Sequence, residues 1–70
     1  MKAKRLLWVL QRDLGYRVSR QRGSHRRLVA DGRPPMTFAF HDGRTLSPRE
    51  VRKVLVQHVG LDADDALDLF

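Results

Sequence analysis

The apolar residues of this chain change period twice, and that change limits the folds open to it. From Lys2 to Leu14 they fall at Ala3, Leu6, Leu7, Leu10 and Leu14, three and four apart, which is the stripe of an amphipathic helix. Gly15 then stops the helix, because glycine readily takes the left-handed conformation that follows a last turn. Tyr16-Arg17-Val18-Ser19-Arg20 alternates apolar and polar with period two, as a half-buried strand does. Residues 21–24 turn the chain, and a second extended run covers His25 to Ala30. Asp31-Gly32 is a turn signal, and Pro34-Pro35 is expected to lengthen this loop and prevent a tight two-residue hairpin. Alternation resumes in Met36-Thr37-Phe38-Ala39-Phe40 and ends at His41-Asp42-Gly43.

The helical period returns at Ser47-Pro48-Arg49-Glu50, a capping box with proline at the first helical position. The helix it opens is expected to carry Val51, Val54, Leu55 and His58 on one face and to stop at Gly60. Asp62-Ala63-Asp64-Asp65 sets acids where the positive end of a further short helix would welcome them, with Ala63, Ala66, Leu67 and Phe70 as its apolar stripe. The order predicts one α+β domain over residues 1–70. It is a two-layer sandwich in which a three-stranded antiparallel sheet carries two helices on one face, followed by a short C-terminal helix. A double-stranded-RNA-binding domain has the same order of elements.

Seventy residues leave no room for a second core, and with no cysteine there is neither a disulfide nor a thiolate metal site. The longest apolar run, Leu6 to Leu10, is far short of the roughly 20 residues needed to cross a bilayer. Gln11-Arg12-Asp13 follows the basic start at once, with no small-residue cleavage site, so the chain reads as unprocessed and cytoplasmic. Its net charge of +6 is unevenly placed. Residues 1–60 hold all 14 Lys and Arg against Asp13, Asp31, Asp42 and Glu50, while the last ten residues hold four Asp and no base. Such a body attracts polyanions, nucleic acid first among them.

Around His25 the sequence is Arg20-Gln21-Arg22-Gly23-Ser24-His25-Arg26-Arg27. Arginines supply charge-assisted donors to phosphate, glycine permits close backbone approach, and an imidazole exchanges protons near pH ~6.5. Those residue types suit metal-free cleavage of RNA, but by themselves they fit a solvated basic hairpin that happens to include a histidine better. If Leu28, Phe38 and Phe40 face the helices, period two sends His25, Arg27, Thr37 and His41 to the opposite face, although Val29 argues for the reverse. His58 reads as structural, near a helix C-terminus. Trp8 lies off the stripe of its helix, and packing beneath Leu67 and Phe70 is favoured over stacking on a base. Three histidines on separate elements show no metal-ligand spacing, and there is no phosphate-loop motif, nucleophile elbow or cysteine nucleophile.

The whole chain resembles the HicA family of toxins. The resemblance lies in the basic first helix ending in Gly15-Tyr16, then Arg22-Gly23-Ser24-His25 opening a strand. Met36 to His41 and Leu46-Ser47-Pro48 through Leu55 complete it. It implies a fold like that of double-stranded-RNA-binding domains, cleavage of messenger RNA that stops translation, and inhibition by a HicB antitoxin; no cofactor is expected. The family's catalytic histidine maps onto His25. Arg20, Arg22, Gly23, Ser24, Arg26 and Arg27 are then the expected RNA-binding residues. Where the family often has proline and a basic residue before the third-strand histidine, this chain has Ala39 and Phe40, which separates His41 from the family pattern. Two alternatives stand beside the nuclease: a non-catalytic RNA-binding module of the same fold, and a domain whose basic face meets an acidic protein. Cleavage separates the first pair, and steeply salt-dependent RNA affinity separates the second.

Overall fold

The computed structural model describes residues 1–69. Ala3–Arg12 forms α1, which buries Ala3, Leu6, Leu7 and Leu10 on one stripe as the spacing demands, with Val9 buried beside it. Gly15 adopts φ +75°, and this left-handed residue lets the Tyr16 N–H return to the Leu10 carbonyl at 3.0 Å. The chain then runs through β1 (Arg17–Arg22), β2 (His25–Ala30) and β3 (Arg33–Phe38), an antiparallel meander in the order β1-β2-β3. Helix α2 (Pro48–Arg52) continues into a wider π turn over Lys53–His58, and α3 (Ala63–Asp68) follows. The architecture is the expected α+β fold: the sheet shows the helices one face, with Leu28, Met36 and Phe38 buried beneath Leu6, Leu10, Leu46 and Leu55.

Ser47 and Glu50 form the predicted capping box. The Ser47 hydroxyl accepts from the Glu50 N–H and the Glu50 carboxylate accepts from the Ser47 N–H, both at 3.1 Å. The backbone N–H of Ser47, aided by the Arg44 guanidinium, holds the Glu50 carboxyl below its usual range against a smaller opposing desolvation. Asp62 caps α3 by accepting from the Asp65 N–H at 2.8 Å.

Four expectations need correcting. The prolines do not open the second hairpin, because Asp31 and Gly32 alone connect β2 to β3, with Gly32 at φ +73°. Ala30 pairs with Arg33 and Leu28 with Met36, so Pro34 and Pro35 form a bulge opposite Val29. They are tolerated because β3 is an edge strand, where a missing N–H costs the ladder least. Tyr16 also fastens this edge, its hydroxyl donating to the Pro34 carbonyl at 2.8 Å, and burial pushes its phenol above the usual range while Arg33 pulls it down. Strand β1 in turn runs two residues further than its alternation suggests, to Arg22, and absorbs Ser19 as a bulge between Val18 and Arg20.

His58 is exposed and Val59 is buried in its place. The Val59 N–H returns five residues, to the Val54 carbonyl, so the register that a four-residue return gives to His58 passes to Val59. Finally, the terminal helix does not cover Trp8. Ala63, Ala66 and Leu67 line a groove with Met1, Val51 and Leu55, Leu67 is 74% exposed, and Trp8 is 45% exposed on α1. Phe70, expected in the same stripe, lies outside the described residues.

Candidate functional site

The face of the sheet turned away from the helices is cationic. Antiparallel register sets Arg22 opposite His25 at the mouth of the first hairpin, and Arg20 opposite Arg27, which is in turn opposite Thr37. Side chains directly opposite share a face, so three arginines, one histidine and one threonine stand together there. With Gln21 at the rim they line a depression of about 660 Å³. Leu28 is wholly buried between exposed Arg27 and half-buried Val29, which settles the face of β2 in favour of the expected one.

Within the site, Arg27 Nη1 donates to Thr37 Oγ1 at 3.3 Å, and Ser19 Oγ donates to the Arg27 carbonyl at 3.2 Å. Gln21 Nε2 donates to the Gly23 carbonyl at 3.0 Å, stiffening the turn that aims His25. Gly23 has φ +60°, the left-handed region, while a Cβ added there would meet nothing within 4 Å. The glycine is therefore required by the turn, not by crowding at the backbone. Ser24 completes the two-residue connection and is half-buried.

Not every arginine near His25 belongs to this face. Arg26 shares the parity of Leu28 and points to the other side, where its Nη2 meets Asp42 Oδ1 at 3.0 Å and its side chain is only 14% exposed. Its Nη1 is buried without a hydrogen-bond partner. Arg17 stands opposite Val29, away from the depression, and meets Asp31 at 3.8 Å with both side chains exposed. Among the described residues no ion pair involves Arg20, Arg22 or Arg27, so their charges face solvent uncompensated. A cationic concavity of that kind raises the local concentration of a polyanion and offers bidentate donors to its phosphates.

His41 lies beyond the end of β3 and His58 on the far helix, both exposed and neither lining the depression. Among the described residues no three His, Cys, Asp or Glu side chains gather closely enough to hold a metal ion. No described helix is long and apolar enough to cross a membrane. Sequence reasoning missed Gln21 as a site residue and left Thr37 on the open face without a role. Register gives Thr37 its role by setting it opposite Arg27, whereas Gln21 stands opposite Arg26 and reaches the depression only at its rim.

The chain is thus a small α+β sandwich whose open sheet face gathers, around one histidine, three arginines that have no ion-pair partner among the described residues. The model of the family described as HicA toxin of bacterial toxin-antitoxin systems matches residues 3–61, and the chain belongs to that family. Comparisons with curated proteins and with solved structures returned no match. The family match ends at Leu61, before α3 begins.

Proposed function

We propose that this toxin is an endoribonuclease that cuts messenger RNA in the cytoplasm without a metal, with His25 as general base. The observation that carries the proposal is the grouping of His25 with Arg20, Arg22 and Arg27 around one depression on an open face. An imidazole nitrogen takes the proton of a ribose 2′-hydroxyl. The freed oxygen bonds to the adjacent phosphorus, the phosphorus–O5′ bond breaks, and the leaving oxygen takes a proton from water or back from the imidazolium. The products are a 2′,3′-cyclic phosphate and a 5′-hydroxyl. The guanidiniums stabilise charge that grows on the phosphoryl oxygens, which is the largest contribution such a site makes. Arg20, Arg22 and Arg27 are the phosphate contacts of this reading, with Gly23 and Ser24 shaping the turn that presents His25. Arg26 has no part in holding phosphate, since it is committed to Asp42. A HicB-like antitoxin is the proposed inhibitory partner.

The test is His25→Ala in the full chain. Growth arrest and RNA cleavage should vanish while fold and RNA binding persist, because an imidazole on an exposed strand contributes little to stability. His41→Ala and His58→Ala should keep substantial activity, and replacing the 2′-hydroxyl at the cleaved nucleotide should block cutting. If purified His25→Ala cuts as fast as the wild type, the assignment is wrong and a non-catalytic RNA-binding module takes its place.

A further inference from the structure

Trp8 is the one tryptophan of the chain, and neither the core nor the site uses it. At about 100° of rotation per residue, Arg5, Trp8 and Arg12 fall in one row along α1, opposite the stripe of Leu6 and Leu10. The indole is 45% exposed, with the Arg12 guanidinium carbon 4.8 Å and that of Arg5 5.8 Å from its ring. Lys4 lies at the edge of the row and is also exposed. None of Lys4, Arg5 and Arg12 enters an ion pair among the described residues. The two arginines converge on the ring although their charges repel, and no ion pair among the described residues draws them there.

We propose that this outer face of α1 is a second RNA-binding surface, on which an unpaired base stacks against Trp8 while Arg5 and Arg12 meet the flanking phosphates. The choice of RNA rests on the ribonuclease reading, and the composition of the face supports it. Protein interfaces also favour tryptophan and arginine, but they set them among apolar contacts in a centre otherwise poor in charge. Here a single aromatic stands among cations, which is the pattern of a single-strand platform with its electrostatic track. An exposed guanidinium–indole contact is worth only a two- to five-fold shift in an equilibrium. A stacked base is worth roughly 5- to 150-fold, so a base displaces a guanidinium from the ring and leaves it free to turn to phosphate. The row lies on the helix layer and His25 on the open side of the sheet. The α1 face therefore holds a flank of the strand, and the sheet holds the bond that is cut.

Because Trp8 is the sole tryptophan, its fluorescence reports this face alone. The experiment titrates the full chain with a short 2′-O-methyl oligouridylate, which lacks the attacking hydroxyl. Anisotropy of a labelled copy reads total binding and indole emission reads the α1 face. Quenching should follow the binding curve and weaken with salt, and Trp8→Leu should lower affinity roughly 5- to 150-fold with the far-ultraviolet spectrum unchanged. Arg5→Gln with Arg12→Gln should lower it as well and flatten its salt dependence. Binding without quenching overturns the inference and leaves the nuclease reading standing. Quenching in a chain that cuts no RNA does the reverse. Equal quenching by oligoglutamate assigns the face to an acidic protein and also overturns it, as does failure of the oligonucleotide to bind at all.

Discussion

Replacing Arg20, Arg22 and Arg27 by glutamine, one at a time and together, separates guanidiniums that meet phosphate from those that hold the fold. Each of the three lines the depression around His25 and has no acidic partner among the described residues. Each should therefore displace one counterion from a bound strand. On single-stranded RNA a lost phosphate contact lowers the slope of log affinity against log salt by about 0.7. Between 50 and 200 mM salt that amounts to ~2.6-fold less loss of affinity for each arginine removed, and ~18-fold less for all three. Arg26→Gln is the internal control. It breaks the 3.0 Å contact with Asp42, whose carboxylate stays half exposed, so its cost should lie near the low end for a charged hydrogen bond, about 1.5 kcal/mol. In a domain of this size that lowers Tm by roughly 6–12 °C and leaves the salt slope untouched. Anisotropy with a 2′-O-methyl oligonucleotide gives the slopes, and thermal melts give the stabilities. A triple variant with the wild-type slope refutes the phosphate assignment. An Arg26→Gln slope that falls as far as that of Arg27→Gln refutes the division between the two faces of β2.

Two further outcomes test the helical half of the molecule. Ser47→Ala should cost about 1 kcal/mol, seen as a Tm lower by roughly 4–8 °C. Glu50→Gln should also destabilise at neutral pH; since the folded carboxyl titrates below its usual range, its contribution is present above the unfolded pKa and lost as pH falls through the folded one. The wild-type and Glu50→Gln melting curves should thus converge in acid, and a gap that persists there speaks against the capping carboxylate. At the π turn, Val59→Asp should unfold the chain by burying an unpaired charge, whereas His58→Ala should change stability by less than about 0.5 kcal/mol. Equal effects at the two positions would restore the ordinary helical register.

The features legible in the sequence are those that one element dictates by itself. The stripe of α1 is set by spacing along a single helix, the limits of β2 by Gly23-Ser24 and Asp31-Gly32, and the start of α2 by a reciprocal cap within four residues. The features that escaped depend on a neighbour. Pro34 and Pro35 read as a loop because proline breaks ladders, yet β3 is an edge and a bulge accommodates both. His58 follows from Val54 by a four-residue step, and nothing in Lys53–His58 announces that the turn widens to five.

The arginines around His25 show the same division at the site. Alternation from Leu28 alone puts Arg26 on the core side and Arg27 on the open side, so that much was readable from three adjacent residues. What could not be read is that Asp42, sixteen positions away, would take up the charge of Arg26. Counting basic residues near His25 therefore overstates the cations free to meet a phosphate. The sheet removes Arg26 from that count and leaves Arg20, Arg22 and Arg27 around His25, and it is the pairing of strands β1, β2 and β3 that decides which.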